Sequence, residues 1–210
     1  TVTATANAGS LSITNARALV LGDTIASGPV ALATVDNAGS ITATGTFVAG
    51  ALSAAAHDTG GISIADVNDD LTVSLLEAGG AITLGNIDSG ALTFTHSVDG
   101  SNVIVGNDAA GGQASGIVTI TGESLNLNDA IRTLGGTVNL ISTSGAITTA
   151  GDAHIVTTAE DGTGTASGLV NVTAANGMTL QNITTTGADN TIGVGSNAAA
   201  VTLTASAGDI

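Results

Sequence analysis

Apolar and polar residues alternate in short stretches along the whole chain. Leu11-Ser12-Ile13, Ile41-Thr42-Ala43 and Ile62-Ser63-Ile64 are examples, and the polar positions are mostly Thr, Ser and Asn. A two-residue period is typical of a β-strand with one buried face, and β-branched Thr fits a pleated surface well. No apolar stripe with the 3.6-residue period of a helix runs for helical length. The pattern therefore predicts an all-β protein.

A glycine precedes many of these stretches and recurs at a nearly regular distance. The clearest corners are Gly9-Ser10-Leu11, Gly39-Ser40-Ile41, Gly60-Gly61-Ile62, Gly80-Ala81-Ile82, Gly145-Ala146-Ile147 and Gly208-Asp209-Ile210, with looser copies at Gly100, Gly122 and Gly177. Successive corners are 30, 21, 20, 20, 22, 23, 32 and 31 residues apart. Repetition at a period near 20 is typical of stacked architectures in which each repeat supports its neighbours.

We predict a right-handed parallel β-helix, one shaft segment over residues 1–210 with roughly 20–23 residues per turn of the coil, or rung, and some longer rungs. Ile41, Ile62 and Ile82 should stack inside it. An antiparallel sandwich or barrel also has short strands and frequent turns, but hairpin signals are missing apart from Asn176-Gly177. The longer intervals contain apolar pieces that should form a third strand or a protruding loop: Leu19-Val20-Leu21, Ile155-Val156 and Ile192-Gly193-Val194.

Composition narrows the class of protein. Phe47 and Phe94 are the only aromatic residues, so small and branched aliphatic side chains must fill a narrow core. Two basic residues against seventeen acidic ones give a net charge of −15, which excludes nucleic-acid binding through phosphate neutralisation and disfavours anionic lipid surfaces. There is no cysteine for a disulfide or thiolate metal site. The sequence also contains no apolar run of about 18 residues, the length that would predict a membrane helix.

The glycine corners and the Leu-Thr-Val and Val-Thr-Leu strands, in a texture rich in Gly, Ala, Thr, Asn and Asp, resemble the repeat shafts of bacterial filamentous-haemagglutinin-type exoproteins and autotransporter passengers. The resemblance covers essentially the whole chain. It implies export across the outer membrane, an extracellular or cell-surface location, and a role in adhesion or surface assembly. It also implies a host or neighbouring cell surface as partner.

Asp66, Asn68 and Asp70 form the sharpest local motif. Together with Glu77 they match the carboxylate and amide positions of an EF-hand calcium loop. Leu71 stands where that loop needs glycine, and residues 71–75 alternate like a strand with no flanking helix. We therefore expect a solvated acidic turn here and keep Asp66, Asn68 and Asp70 as weak candidates for a looser Ca²⁺ site. No other cofactor is expected.

Parallel β-helices also include polysaccharide-acting enzymes, so catalysis has to be considered. Asp69 and Asp70 are neighbours, but adjacent side chains on a strand point to opposite faces and cannot easily flank one bond. Only Arg17 and Arg132 could hold an anionic sugar. The histidines, His57, His96 and His154, are too far apart in the sequence to indicate a zinc site. We predict no catalytic residues and a structural role rather than an enzyme.

Two further expectations concern surfaces. Thr-x-Thr pairs such as Thr119/Thr121 and Thr202/Thr204 could order water, which makes ice binding an alternative function, although the pairs do not occur in every repeat. Both ends of the chain look like interior rungs, because residues 1–5 alternate and residues 208–210 repeat a corner. We therefore expect rungs to continue, either in a longer chain or by end-to-end self-association into a filament.

Overall fold

The computed structural model describes residues 2–36, 38–57, 60–68, 70–78, 80–86, 91–94, 104–106, 117–128, 130–133, 135–150, 153–158, 166–187 and 197–210. Its strands are β1 (Val2–Ala6), β2 (Leu11–Asn15), β3 (Leu19–Ala26), β4 (Pro29–Thr34), β5 (Ile41–Ala43), β6 (Phe47–Val48), β7 (Ala51–Ala56), β8 (Ile62–Val67), β9 (Leu71–Ala78), β10 (Ile82–Asn86), β11 (Ala91–Phe94), β12 (Ile104–Gly106), β13 (Val118–Gly122), β14 (Ser124–Leu127), β15 (Ile131–Thr133), β16 (Val138–Ser142), β17 (Ile147–Thr149), β18 (Ile155–Thr158), β19 (Val170–Ala174), β20 (Met178–Thr179), β21 (Ile183–Thr186) and β22 (Val201–Ala205).

The strands form three parallel faces that the chain visits in turn. Face A has the order β1-β3-β5-β8-β10-β13-β16-β19-β22, with β6 beside β3 and β8. Face B contains β2, β4, β7, β9, β11, β14, β17 and β20, and face C contains β12, β15, β18 and β21. The long strand β9 joins the last two faces, because Leu71 pairs with Leu92 of β11 whereas Leu76 pairs with Ile104 of β12. The predicted all-β parallel β-helix is confirmed.

The core is a set of aliphatic rows that run along the coil. Ile41 pairs with Ile62, and Ile62 pairs with Ile82, in parallel register. All three side chains are at most 1% exposed. The residues that follow them, Thr42, Ser63 and Thr83, are half-buried and point outward. The predicted internal isoleucine ladder is therefore confirmed, and strict alternation is what permits it.

The glycine corners do not all lie in one column, as a single repeated corner would require. Gly39, Gly60 and Gly80 precede strands of face A, whereas Gly9 and Gly145 precede strands of face B. The first 30-residue interval therefore joins two different corners and is not a long rung: Leu19 pairs with Ile41 after 22 residues. Gly100 lies outside the described residues. The spacing of the glycine corners was predicted correctly, but which face of the coil each glycine precedes was not.

The extra length of the later rungs lies between face C and face A, because even the short rung that begins at Val118 contains a face-C strand, β15. Val118 pairs with Val138 after 20 residues, whereas Val138 pairs with Val170 after 32. Ile155-Val156 forms β18 and is a third strand, as predicted, while Leu19-Val20-Leu21 belongs to an ordinary strand of face A. Residues 192–194 lie outside the described part of the chain. The longest sequence intervals between described strands, 107–117, 159–169 and 187–200, each separate a strand of face C from the next strand of face A.

The first and last rungs differ from the interior in burial. Val2 is 43% exposed and Val201 is 42% exposed, although both occupy inward register positions that are buried elsewhere. Each has a neighbouring strand on one side only among the described residues. In the described part of the chain, no helix is long and apolar enough to cross a membrane.

Candidate functional site

Four corner glycines share the same hydrogen-bonding arrangement. Buried hydroxyl groups of Thr34, Thr133, Thr157 and Ser142 donate to the carbonyl oxygens of Gly39, Gly136, Gly168 and Gly145, respectively. The last three O···O distances are 2.7, 2.7 and 2.8 Å. Each of these glycines stands two residues before the first inward residue of the next strand. The hydroxyl thus satisfies a carbonyl that leaves the strand ladder at the turn.

Steric crowding explains why three of these positions, 39, 145 and 168, are glycine. A Cβ atom at Gly39 would lie 2.9 Å from Thr34 Cβ, and one at Gly145 would lie 2.8 Å from Ser124 Cβ. At Gly168 it would lie 2.0 Å from the carbonyl oxygen of Gly136 on the preceding rung. The corner motif therefore combines a close backbone approach with a buried hydroxyl donor. The motif is explained by packing and requires no bound ligand.

Some of the same hydroxyls also accept from the following rung. His57 N donates to Thr34 Oγ1 at 3.2 Å, and Ala175 N donates to Ser142 Oγ at 3.3 Å. This role was not predicted from the sequence. A usable signal is present, since the Ser or Thr that donates is the last or next-to-last residue of the strand that precedes each of these corners. These side chains hold successive rungs together.

Acidic residues make similar connections, at turns and, for Asp23, within strand β3. The Oδ1 atom of Asp70 accepts a hydrogen bond from Ala91 N at 2.8 Å, and Asp23 Oδ1 accepts from Thr46 N at 3.1 Å. Ser144 Oγ lies 3.2 Å from Glu123 Oε1, to which it donates. The partners are 21 to 23 residues apart, one rung along the coil. The negative charge therefore contributes in part to rung-to-rung bonding.

The calcium candidates lie at the turn between β8 and β9. Asp66 is half-buried within β8, Asn68 follows it, and exposed Asp70 precedes β9. One carboxylate oxygen of Asp70 already binds Ala91 N. The Oδ1 atom of Asn68 is buried and has no hydrogen-bond partner within the described residues. Asp69, which lies between them, is outside the described residues.

The EF-hand interpretation is not favoured by the path of the chain. Leu71 is buried at the start of β9, and Glu77 lies near its other end, where it pairs with Val105 on face C. Asp70, before the face-B part of β9, and Glu77, in its face-C part, therefore lie at opposite ends of the strand. No group of three or more His, Asp or Glu residues that could hold a metal ion occurs in the described ranges. A looser Ca²⁺ site at Asp66, Asn68 and Asp70 stays a prediction.

The histidines and arginines do not converge where they are described. His57 follows β7 and His154 precedes β18, four strand spacings apart, or about 19 Å along the axis. His96 is outside the described residues. Arg132 lies on face C between Val105 and Val156, and its buried Nε has no partner among described groups. These positions do not assemble a catalytic or zinc-binding constellation.

Two polar ladders follow the outer surface. On face A, Asn171 Nδ2 donates to Asn139 Oδ1 at 2.9 Å, and Asn139 Nδ2 donates to Thr119 Oγ1 at 3.3 Å. On face B, Thr148 Oγ1 donates to Asn126 Oδ1 at 2.9 Å. Each bond joins residues in direct register on adjacent strands. The ladders bond along the axis of the coil and do not converge on a point.

A shallow groove of about 330 Å³ crosses three rungs of face A. Its floor is formed by small residues, with Ser40, Gly61 and Ala81 in one row and Thr42, Ser63 and Thr83 in the next. Ser40 Oγ already accepts a hydrogen bond from Gly61 N at 3.1 Å. The groove offers hydroxyl groups in a regular row but no charged or aromatic side chain.

No family model, curated protein or solved structure compared with this chain matches it.

Proposed function

We propose that this chain is a structural shaft segment of a secreted bacterial surface protein, an adhesin or exoprotein, or a subunit of an extracellular filament. One observation carries the proposal: the polar side chains connect rung to rung along the axis, as Asn171 does with Asn139 and Asp70 with Ala91. In a shaft, polar groups serve the stack itself, whereas an enzyme needs several of them to converge on a substrate.

Deleting one rung tests the shaft function. Because Ile41 pairs with Ile62, removing residues 41–61 joins Ser40 to Ile62 without changing the face of any later strand. We expect a folded rod that is shorter by one strand spacing, about 4.8 Å, and that is displayed on a bacterial surface as well as the full chain when both are fused to the same outer-membrane anchor. Removal of residues 41–51, half a rung, is the matched control and should abolish folding.

The measurements are circular dichroism, small-angle scattering and surface labelling of a tag at the exposed end. The shaft function is contradicted if the folded rung deletion loses a binding or hydrolytic activity that the full chain has. The enzyme alternative would be supported by turnover of a polysaccharide that Asp70→Asn abolishes.

Ice binding is a second candidate, favoured by one feature of face A. The outward column that passes through Thr42, Ser63, Thr83 and Thr119 and ends at Thr202 is polar and uncharged from β5 to β22, whereas Val20 occupies it on β3. Regularly spaced hydroxyl groups could order water. Thermal hysteresis of the purified chain, lost in Thr42→Lys and Thr83→Lys variants, would support this function; no hysteresis would exclude it.

We also propose that the half-exposed apolar positions at Val2 and Val201 associate with further rungs, in a longer chain or in a second copy stacked end to end. Light scattering and electron microscopy of the purified chain at varied calcium concentration test self-association. Filaments would support a polymer subunit, and calcium-dependent filaments would give the acidic turn a role. A stable, calcium-indifferent monomer would contradict end-to-end self-association.

A further inference from the structure

Asn176-Gly177 is the only Asn-Gly pair in the sequence. It forms the corner between β19 of face A and β20 of face B, and the Asn176 side chain is exposed. Glycine has no side chain to shield its backbone nitrogen from the asparagine amide that precedes it. No described residue accepts a hydrogen bond from Gly177 N. The backbone nitrogen of Gly177 is therefore free to approach the side-chain amide of Asn176.

Hydrogen bonds to the preceding rung hold this corner in place. Asn176 Nδ2 donates to the carbonyl oxygen of Ser144 at 2.7 Å, and Asn176 N donates to the carbonyl oxygen of Gly145 at 3.0 Å. Ile147 N donates to the carbonyl oxygen of Gly177 at 3.4 Å. The side-chain amide thus clamps one rung onto another through its N–H.

The last rung rests directly on the same corner. Met178 N donates to the carbonyl oxygen of Asp209 at 2.8 Å, and Ala207 N donates to the carbonyl oxygen of Ala175 at 3.1 Å. A Cβ atom at Gly177 would lie 2.9 Å from the carbonyl oxygen of Asp209, so the two backbones are in close contact. Any change in backbone length or charge at residue 176 therefore acts on residues 206–209.

We propose that Asn176 is a site of spontaneous covalent modification that loosens the last rung of the coil. The backbone nitrogen of Gly177 loses its proton and attacks Cγ of Asn176, forming a C–N bond. The bond from Cγ to Nδ2 breaks, and the side-chain nitrogen leaves as ammonia, so a five-membered succinimide results. Water then adds to one of the two imide carbonyls and opens the ring to aspartate or isoaspartate.

Both products lose the hydrogen bond from Asn176 Nδ2 to the carbonyl oxygen of Ser144. In aspartate, a carboxylate oxygen replaces the donor nitrogen opposite the Ser144 carbonyl oxygen, so an attractive contact becomes a repulsion between two acceptors. In isoaspartate, the main chain also passes through the former side-chain carbon and is longer by one methylene. Gly177 and Met178 then lose their alignment with Ile147 on one side and Asp209 on the other.

The experiment ages the purified 210-residue chain at mildly alkaline pH and maps deamidation by peptide mass spectrometry. We expect Asn176 to be converted fastest, and Asn182, which precedes the β-branched Ile183, to be unchanged over the same time. In the converted fraction, the amides of Met178, Ser206 and Ala207 should exchange with deuterium roughly tenfold faster, the effect of one lost hydrogen bond. The amides of residues 138–142 should be unaffected.

The Asn176→Asp variant should reproduce the faster exchange without ageing, and Asn182→Asp, which adds the same charge at an exposed corner, should not. The inference is overturned if Asn176 converts no faster than Asn182. It is also overturned if the converted wild-type protein keeps the exchange rates of the fresh protein. The aged wild-type chain provides this second readout even if Asn176→Asp fails to fold.

Discussion

The side chains of Asn171 and Asn139 form an amide pair across adjacent strands of face A. Asn171 Nδ2 donates to Asn139 Oδ1 at 2.9 Å, and the two residues are in direct parallel register although 32 residues separate them in the sequence. Asn139 in turn donates to Thr119, so three rungs are linked by side-chain hydrogen bonds. Stacking of like residues on like residues creates this ladder.

Removing the middle of that ladder should destabilise the coil. We expect Asn139→Ala to lower the free energy of unfolding by about 1 kcal/mol, because it removes two half-buried hydrogen bonds. The loss is moderate because water can bind to the partner groups that remain. Urea denaturation measures the change. Asn182→Ala, at an exposed corner, is the control and should be nearly neutral. Equal stability of both variants would mean that the ladder contributes little.

The isoleucine ladder should be much more sensitive. Ile62 is 1% exposed between Ile41 and Ile82, so Ile62→Ala leaves a cavity that the stacked backbone cannot easily close, at a cost of about 2–5 kcal/mol. Ile25→Ala, at a side chain that is 44% exposed on face A, should cost less than about 1 kcal/mol. Thermal and urea unfolding of the two variants compare them. Similar losses would contradict the assigned core.

The cost of replacing a glycine should depend on the space that an added Cβ atom would find, at a corner such as Gly168 or within a strand such as β10 at Gly85. At Gly168 an added Cβ atom would lie 2.0 Å from the Gly136 carbonyl oxygen, whereas at Gly85 the nearest atom would be 3.1 Å away. We expect Gly168→Ala to cost at least about 3 kcal/mol through backbone displacement, and Gly85→Ala to cost far less. Denaturation midpoints measure both. A Gly168→Ala protein as stable as the Gly85→Ala protein would contradict the close approach of the two rungs.

The buried hydroxyl of Thr157 can be used to test whether these hydrogen bonds stabilise the corners. Thr157→Val keeps the shape of the side chain but removes the 2.7 Å hydrogen bond to the Gly168 carbonyl oxygen, which then stays buried without its donor. We expect a loss of about 1–3 kcal/mol. Thr158→Val, at the adjacent outward position, should change stability by less than about 0.5 kcal/mol. If both variants are equally stable, the hydroxyl does not support the corner.

Calcium binding at the acidic turn can be measured directly. If Asp66, Asn68 and Asp70 hold Ca²⁺, isothermal titration should detect it and Asp66→Asn with Asp70→Asn should abolish it. Asn at position 70 keeps an oxygen that can accept from Ala91 N, so loss of fold would not explain the loss of binding. Glu123→Gln, at a different corner, removes one charge and is the matched control for Asp66→Asn and Asp70→Asn measured singly. An absent calcium signal in the unmodified chain would remove the candidate site.

Local pattern predicted the strands because alternation and glycine turns are properties of a few neighbouring residues. The stacking of Ile41, Ile62 and Ile82 could also be predicted, since equal spacing places equivalent residues at equivalent positions of a coil. The acidic segment at 66–70 was found from its residue types. The hydrogen bond that Asp70 accepts from Ala91 N was not predicted, because Ala91 lies one rung away.

The sequence by itself determined the all-β class, the parallel coil, the aliphatic core and the approximate rung length. Only the tertiary structure decided that there are three faces, that Gly39 and Gly145 belong to different corners, and that Thr34 and Ser142 satisfy their carbonyls. The physical reason is the range of the interactions. Alternation acts between adjacent residues, whereas the phase of each rung depends on its register against strands 19 to 36 residues away, as between Leu11 and Val30 or between Ile82 and Val118.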